Sequence, residues 1–489
     1  MSELVLNKSL SQLKRRTFLA ALTTGVAGCA LPSANAKDKE LNALTQASER
    51  AWKLAAKIVQ NTKVPTFPAR NFSVTEFGAQ AGGTFDNTKA FAAAIAKCHQ
   101  SGGGRVVVPK GEFLTGPIHL LSNVNLHLND GATLRFSTNA KDYLPAVFTR
   151  WEGMELMGYS PLIYAYQQEN IAVTGKGTLD GQADKDTWWP WKGGKWKGGK
   201  NWGKEGVPTQ DTARAQLEKD IEANRPVHER IYADGAQLRP VFVQFYSCKN
   251  CLVEDVTIIR APFWLLNPVL CESVTVRGVT FASMGPNSDG CDPESCKNVV
   301  IEKCFFDTGD DCIAIKSGRN ADGRRLNTPS ENIVIRDCKM RNGHGGIVIG
   351  SEISGGARNI FAENCEMSSH DLERGLRFKT NSVRGGTIEN IYFRNIDIGD
   401  VKTAIVVDFS YEEGDSGKFT PIVRNVEVRN LRCKNAQKIF NVMGYERSPI
   451  RNLHLIDVQF EQAGEIGILK NMDGFIAKNV TIHGKPFSI

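Results

Sequence analysis

The chain has 489 residues, 41% hydrophobic and 23% charged, a composition typical of a folded globular protein rather than a disordered one. Its 60 Lys and Arg residues against 53 Asp and Glu give a net charge of +7, too small at this length to indicate a nucleic-acid-binding protein. No apolar run reaches the roughly 18 residues of a membrane-spanning helix, so we predict no integral membrane span.

The first 36 residues resemble an export signal. Lys14-Arg15-Arg16-Thr17-Phe18-Leu19 is similar to a twin-arginine motif, and the apolar residues 19–31 follow it. Small residues at 34–36 predict cleavage after Ala36, and therefore a periplasmic or secreted protein. The alternative is a lipoprotein, because Val26-Ala27-Gly28-Cys29 resembles a lipoprotein box that would leave a lipid anchor on Cys29.

The chain continues with two helical patterns and a short strand pattern. Residues 37–68 are a predicted helical segment, with apolar residues at helical spacing over 41–60. A strand is predicted at 72–77. Asp86-Asn87-Thr88 is typical of an N-cap and predicts a second helix over 89–98.

Beyond residue 105 one pattern recurs: an Asn or similar polar residue, then alternating aliphatic and polar positions. The period is about 23 to 35 residues, which indicates stacked repeats. The alternation excludes a helical solenoid, and a propeller blade needs about 40 to 45 residues. We therefore predict an all-β fold, a parallel β-helix over residues 69–489, with an antiparallel sandwich as the alternative. The repeats begin at Asn123, Asn170, Asn250, Ser273, Asn298, Asn332, Asn359, Asn390, Asn425, Asn452 and Asn479.

The same repeats predict what fills the interior. Inward aliphatic side chains should stack into ladders, and each Asn should hydrogen-bond its counterparts in neighbouring coils. The 12 cysteines have neither zinc-site nor disulfide-framework spacing, so we expect most of them to be small buried side chains. A disulfide between Cys291 and Cys296 is the alternative.

An insertion at residues 181–240 interrupts the repeats. Aromatic faces suit sugar rings and lysines suit carboxylates, so its composition favours carbohydrate binding; packing of the tryptophans as an ordinary cap is the alternative. A helix is predicted over 212–222. The insertion holds five of the eight tryptophans, Trp188, Trp189, Trp191, Trp196 and Trp202.

Four short motifs fall in successive repeats, about one coil apart. Because neighbouring coils of a β-helix lie about 4.8 Å apart, the motifs should form one patch. Hydrolysis of a glycosidic bond usually takes two carboxyl groups, and this patch would supply three. The motifs are Asn287-Ser288-Asp289, Asp310-Asp311, Gly343-His344-Gly345 and Arg377-Phe378-Lys379.

The adjacent pair Asp310-Asp311 is informative about local structure. In a regular strand one of them would point into the apolar core, so we expect a turn at Thr308-Gly309 that exposes both. Crowding of the carboxylates should raise one pKa and supply a protonated acid beside an ionised group.

Arg377 and Lys379 alternate with Phe378 and should share one face, where a cationic pair suits a uronate carboxylate. His344 has no second His or Cys at ligand spacing, so we predict no metal and no cofactor.

The four motifs resemble the signature of family 28 glycoside hydrolases, the polygalacturonases: Asn-Thr-Asp, Asp-Asp, Gly-His-Gly and Arg-Ile-Lys. The sequence departs from it at Ser288 and Phe378. The resemblance covers roughly residues 72–479 and implies an inverting enzyme with the right-handed, pectin-lyase-like parallel β-helix.

Carried over position by position, the resemblance implies that Asp310 is the general acid and that Asp289 and Asp311 hold and deprotonate the attacking water. His344 would tune the protonation of the acid. The residues implied to bind substrate are Arg377, Lys379, Tyr411, Asn287 and Lys316.

The predicted substrate is an α-1,4-linked galacturonate chain of pectin or its oligomers, bound by a monomer. We predict exo action from the non-reducing end, with the insertion and residues 225–239 walling off one end of the groove. The segments 291–296 and 351–356 also resemble bacterial exo-acting members. The alternatives are an endo-polygalacturonase, a rhamnogalacturonan hydrolase, a β-helix polysaccharide lyase and a non-catalytic glycan-binding protein.

Overall fold

The structure is a computed structural model that describes residues 34–194 and 200–488, with side chains from residue 42 onward. It divides into two compact units, residues 1–50 and 51–489; in the first, the described part is the beginning of the helix Ala34–Asn61. The twin-arginine motif, the apolar residues 19–31 and Cys29 lie outside the described residues, as do Lys195, Trp196 and Lys197. No helix of the described part is long and apolar enough to cross a membrane.

The second unit is built from strands that pair in parallel with their equivalents one coil before and one coil after. Each coil contributes to three stacks. The first stack contains Asn71–Ser73, Gly104–Val108, Val124–Leu128, Glu169–Gly175, Lys249–Glu254, Glu272–Arg277, Lys297–Glu302, Ser330–Arg336 and Ala357–Met367. The second contains Gly111–Thr115, Ala132–Phe136, Thr178–Asp180, Thr257–Ile259, Thr280–Ser283, Phe305–Thr308 and Lys339–Met340. The third contains Ile118–His119, Ile163–Tyr166, Val243–Tyr246, Ile313–Ile315, Ile347–Ile349 and Arg374–Lys379.

The last coils have no breaks between stacks, so single long strands run through them. The remaining elements are short strands, a small sheet beside the stack, and helices. The long strands are Thr387–Asp408, Ile422–Met443 and Ile450–Lys470, followed by Met472–Asp473, Ile476–Ile482 and Lys485–Pro486. The small sheet contains Val147–Trp151, Met154–Gly158 and Ile231–Tyr232. The other helices are Thr88–Gln100, Asp211–Glu222 and Asn320–Leu326, with 3-10 turns at Val74–Phe77, Ala140–Tyr143, Trp189–Lys192 and Val227–Glu229.

The predicted parallel β-helix is confirmed, with the right-handed crossovers that parallel strands favour. Its interior is one continuous apolar core of inward aliphatic and aromatic side chains from all three stacks. The predicted cysteines lie in this core: the 11 in the described part are buried free thiols, and Cys291 and Cys296 form no disulfide.

The recurring asparagines form the predicted ladder, near the start of the strands of the first stack. The amide of Asn332 donates to the side-chain oxygen of Asn298 at 3.1 Å, and Asn359 donates to Asn332 at the same distance. Both Asn332 and Asn359 adopt positive φ, 57° and 55°, a conformation that Asn tolerates better than most residues. Each of these asparagines therefore has two functions: its backbone adopts positive φ, and its side chain forms the hydrogen bond between coils.

The strand predicted at 72–77 is wrong in its second half. The strand ends at Ser73, and Val74–Phe77 is a 3-10 turn. The turn closes when Gly78, at φ 92°, donates its N–H to the carbonyl of Thr75 at 3.2 Å, so the chain leaves the sheet to reach the helix Thr88–Gln100.

The insertion and the small sheet share a second apolar core beside the third stack. Leu217 and Ile221 of helix Asp211–Glu222 pack there with residues of the strands Val147–Trp151 and Met154–Gly158. Trp264, from the coil that precedes Asp289, belongs to the same cluster. Through this core the insertion packs against the coils that contain the four motifs.

Candidate active site

The four sequence motifs meet on the outer face of the third stack. Cys291, Ile313, Ile347 and Leu376 are successive partners in the parallel register. Asp289, Asp311 and Gly345 each stand two residues before a member of that series, so they lie one above another. Oxygen atoms of Asp289, Asp310 and Asp311 all lie within 4.8 Å of one another.

Asp311 is fully buried, and two cations hold it. Lys379 Nζ donates to its Oδ2 at 2.6 Å, and Arg377 Nη1 donates to its Oδ1 at 3.3 Å. Burial raises the pKa of Asp311, but the charges of Lys379 and Arg377 outweigh burial and hold it below its ordinary value. The expectation that both adjacent aspartates are exposed is therefore wrong for Asp311, because paired cations make its burial tolerable.

Gly345 makes this ion-paired arrangement possible. A Cβ at Gly345 would lie 3.2 Å from Asp311 Oδ1 and 3.4 Å from Arg377 Cδ. The residue occupies the coil between the two, so the carboxylate and the guanidinium meet across a position that has no side chain. Phe378 points into the core, as the predicted alternation requires.

Asp310 is paired with His344. The two side chains are joined by a hydrogen bond of 2.9 Å between His344 Nδ1 and Asp310 Oδ1. Burial raises the pKa of Asp310, but the charge of His344, its hydrogen bond and the nearby Lys379 and Lys316 hold it well below its ordinary value. The charge of Asp310 in turn raises the pKa of His344.

Asp289 is in the opposite electrostatic situation. Its Oδ1 is buried with no hydrogen-bond partner, and its Oδ2 lies 3.7 Å from Lys316 Nζ. Burial, together with the charges of Asp292 and Asp310, raises its pKa well above the ordinary value. Crowding thus raises one carboxyl pKa as predicted, but the affected group is Asp289 and not the implied acid Asp310.

Lys316 is placed differently from an open substrate contact. It is buried, donates to Glu352 Oε2 at 3.0 Å, and lies 4.5 Å from the centre of the Trp264 ring. Asp292 is also 3.7 Å away. The neighbouring carboxylates raise the pKa of Lys316 well above its ordinary value despite burial, so its charge is fixed at the floor of the site.

Tyr411 and Asn287 also line the cavity. The Tyr411 ring centre lies 5.4 Å from Arg377 Cζ and 5.3 Å from Lys379 Nζ, so the ring covers the cationic pair. Asn287 Oδ1 accepts a 2.7 Å hydrogen bond from the buried Arg239. All nine predicted site residues are therefore within one constellation.

A cavity of about 640 Å³ extends over these residues. The lining side chains on one side are buried: Arg319 is 3% exposed and Glu352 is 8% exposed. On the other side His344 is 49% exposed and Asp371 is 76% exposed. The lining is therefore buried on the side of Arg319, called here the closed side, and exposed to solvent on the side of His344, called the open side.

The insertion lines part of the cavity, and one of its four described tryptophans takes part. Trp202 lines the cavity, whereas Trp188 is buried against Tyr143 and Trp189 donates to the Ala261 carbonyl at 2.9 Å. Trp188 and Trp189 are therefore packed as in an ordinary cap, which was the alternative to carbohydrate binding. The other insertion residues that line the cavity are Lys192, Gly194, Lys200 and Arg214.

Residues 225–239 do not line the cavity, contrary to the prediction. Arg239 instead lies behind Asn287, and Arg230 is buried with Asp322 at 2.7 Å. Glu152 and Arg319 were not predicted from the sequence, because a single charged residue in a repeat or a hairpin carries no signal of its own; Glu352 was included only as a member of the segment 351–356. Their proximity follows from packing of the insertion.

The three aspartates are also the kind of carboxylate cluster that can hold a cation. Each of them already has a cationic neighbour: Lys379 and Arg377 on Asp311, His344 on Asp310, and Lys316 beside Asp289. The donor set therefore fits a metal-free acid–base site better than a metal centre.

The sequence and the structure match those of known proteins. A sequence model of Glycosyl hydrolases family 28 matches residues 227–481. The crystal structure of a hyperthermoactive exopolygalacturonase from Thermotoga maritima is 44% identical, with a TM-score of 0.85, and covers 89% of this chain and 97% of that chain.

Curated relatives include both exo- and endo-acting enzymes. The exo-poly-alpha-D-galacturonosidase of Dickeya chrysanthemi is 28% identical over 475 residues, which is 87% of this chain and 76% of that protein. The endo-polygalacturonase of Pectobacterium carotovorum is 29% identical over 309 residues, 62% of this chain and 66% of that protein. Of these two relatives, the exo-acting protein matches over the longer part of this chain.

Proposed function

The chain belongs to glycosyl hydrolases family 28 and is a glycoside hydrolase, and on that premise we propose that it removes galacturonic acid from the ends of α-1,4-linked galacturonate chains in pectic polymers and oligomers. The observation that carries the proposal is the cavity, closed beside Arg319 and open beside His344, with three carboxylates between. In this proposal a substrate chain enters from the side of His344 and its end stops against the side of Arg319.

Charge supports an acidic substrate. Arg377 and Lys379 lie side by side, beneath Tyr411, at the wall of the cavity. Lys192 and Lys200 add positive charge from the insertion. Two cations stand against the single carboxylate of Asp311, so a uronate carboxylate would be attracted to these groups more strongly than a neutral hexose.

The proposed chemistry assigns one role to each carboxylate. Asp310, with His344 beside it, protonates the oxygen of the leaving sugar. Asp289 and Asp311 orient a water and remove its proton as it attacks the anomeric carbon from the opposite face. Arg377 and Lys379 fix the substrate carboxylate and hold Asp311 in its ionised form.

Product analysis tests exo action. The purified protein is incubated with polygalacturonate, and products are separated at early times. Galacturonic acid alone is expected; a ladder of oligomers would indicate an endo-acting enzyme. Parallel assays on rhamnogalacturonan, and for the unsaturated products of a lyase, test the remaining alternatives. No uronide turnover on any substrate would refute the proposal.

We also propose that the protein is exported, on the sequence of residues 14–36, and that it acts as a monomer. Replacement of Arg15 and Arg16 by Lys should retain the protein inside the cell, as measured by fractionation of a bacterial host. Mass spectrometry of the exported protein separates cleavage after Ala36 from lipidation of Cys29, and light scattering gives its oligomeric state.

A further inference from the structure

Arg319 lies at the closed side of the cavity, at the junction of four chain segments. Its Nη1 is 3.4 Å from Glu152 of the hairpin turn and 3.5 Å from Glu352 of a catalytic coil. Its Nη2 is 3.0 Å from Glu218 of helix Asp211–Glu222. The same nitrogen is 3.7 Å from both Glu412 and Glu413, next to Tyr411.

The backbone at Arg319 is held as closely as its side chain. Its N–H donates to the carbonyl of Gly153 at 3.0 Å. Gly153 has φ 78°, and a Cβ there would lie 2.7 Å from the Arg319 nitrogen, so the hairpin turn rests directly on this residue. The contact fixes where the hairpin ends over the cavity.

The guanidinium group of Arg319 also contacts helix Asp211–Glu222 of the insertion. Helix Asp211–Glu222 reaches Arg319 through the ion pair of Glu218, and it reaches the hairpin through Arg214, whose Nε is 2.8 Å from Glu152 Oε2. Without Arg319, Glu152, Glu218 and Glu352 would lie close together in a poorly hydrated space with less cationic charge between them, and they would repel one another.

We propose that Arg319 is a positioning residue for exo specificity: it holds helix Asp211–Glu222 and the hairpin turn against the catalytic coils, and so keeps one end of the cavity closed. The inference deepens the proposed function and rests on it. Arg319 needs no contact with the reacting atoms to do this. Lys cannot replace it, because one ammonium cannot reach both groups of carboxylates that the planar guanidinium joins.

The main test is Glu218→Ala, which removes the partner of Arg319 on the insertion without altering a residue that lines the cavity. Glu229→Ala is the matched control, because Glu229 is in the same insertion and pairs with the exposed Arg225 at 3.4 Å. Arg319→Lys is the second variant. It retains the positive charge and leaves every partner in place.

Early products from polygalacturonate are compared for the three variants and the wild type. In Glu218→Ala and Arg319→Lys, oligomers should appear among the early products beside the monomer, whereas the wild type should release the monomer alone. Hydrogen exchange of peptides from helix Asp211–Glu222 should accelerate in both. Glu229→Ala should match the wild type in both measurements.

The outcomes are separable. Release of monomer alone by both variants, even with lower thermal stability, would overturn the proposal, and so would unchanged hydrogen exchange in the helix. An oligomer ladder from the wild type would refute exo action itself. The hydrogen exchange of Glu218→Ala would then still decide whether Arg319 holds the helix.

Discussion

His344 Nδ1 lies 2.9 Å from Asp310 Oδ1, and that oxygen also accepts the backbone N–H of Asp311 at 3.0 Å. The pKa of Asp310 is held below its ordinary value and the pKa of His344 is raised by the same contact. In the free protein the contact therefore favours a proton on the imidazole over a proton on the carboxyl group. Protonation of the leaving oxygen requires the return of that proton to the carboxyl group.

Replacement of His344 by Gln should shift the pH optimum of hydrolysis toward acid. In the wild type the pair keeps its proton until pH exceeds the raised pKa of His344. Without the imidazolium the pKa of Asp310 rises above its wild-type value, but Lys379 and Lys316 still lower it, so the carboxyl group alone loses its proton at a lower pH than the pair does. The alkaline limb of kcat against pH should therefore move down. His370→Gln, at an exposed histidine near the open side, is the control; an unmoved limb in His344→Gln would contradict the shared proton.

The division of labour between Asp310 and Asp289 can be tested with an activated substrate. Asp310→Asn should lose about 10²–10⁴-fold in kcat on polygalacturonate but recover most of it on an aryl α-galacturonide, whose leaving group needs no acid. Asp289→Asn should be equally poor on both substrates. Because the pKa of Asp289 is the raised one, recovery by Asp289→Asn alone would assign the acid to Asp289 instead.

Replacement of Lys379 by Met should destabilise the fold by about 3–5 kcal/mol, because it leaves the buried Asp311 without its nearest cation. The double variant with Asp311→Asn should recover much of this stability while remaining inactive. Urea unfolding measures both. Lys339→Met, at an exposed ion pair with Glu366, is the control and should cost about 1 kcal/mol or less.

The same ion pair predicts how the cost varies with pH. The folded pKa of Asp311 is below its unfolded value, so the stabilisation is present above the unfolded pKa of about 3.9 and is lost as pH falls through the folded pKa. The difference between wild type and Lys379→Met should therefore be constant near neutral pH and diminish in strong acid.

Removal of divalent cations should not change activity. The carboxylates of Asp289, Asp310 and Asp311 already have cationic side chains beside them, and an added dication would have to displace these. Dialysis against a chelator, followed by assay with and without Ca²⁺ or Mg²⁺, measures this. Loss of activity that a specific ion restores would show that the cluster is a metal site.

The stereochemistry of the first product tests the family resemblance against geometry. The oxygens of the three aspartates lie within 4.8 Å, closer than the roughly 6.5–9.5 Å between the two carboxyl groups of most inverting enzymes. Distance alone would favour retention, but here two carboxylates can share the water. We expect inversion, with β-galacturonic acid appearing first in the proton NMR spectrum; the α-anomer first would refute it.

The sequence predicted the parts of the molecule that repeat. The ladder position of Asn332 and the inward position of Phe378 follow from local alternation, and the register that joins Asp289, Asp311 and Arg377 follows from the coil period. Each of these depends on neighbours at a fixed spacing, so each has a pattern that can be read.

What the sequence did not predict depends on packing outside the repeat. Arg319 meets Glu152 and Glu218 because a hairpin and an insertion share an apolar core, and no periodicity describes that contact. The burial of Asp311 was mispredicted because the free-energy cost of burying its charge depends on Lys379 and Arg377, which lie in a later coil. The raised pKa of Asp289 likewise reflects surroundings that span several coils.

The cysteines of the core make it important whether the chain folds before or after it meets an oxidant. All 11 in the described part are reduced and inaccessible in the folded protein, and none has a disulfide partner. A chain that met an oxidant while still unfolded would offer every one of them for mispairing. Folding under reducing conditions would avoid that mispairing, and the apolar core then shields these sulfur atoms from an oxidant.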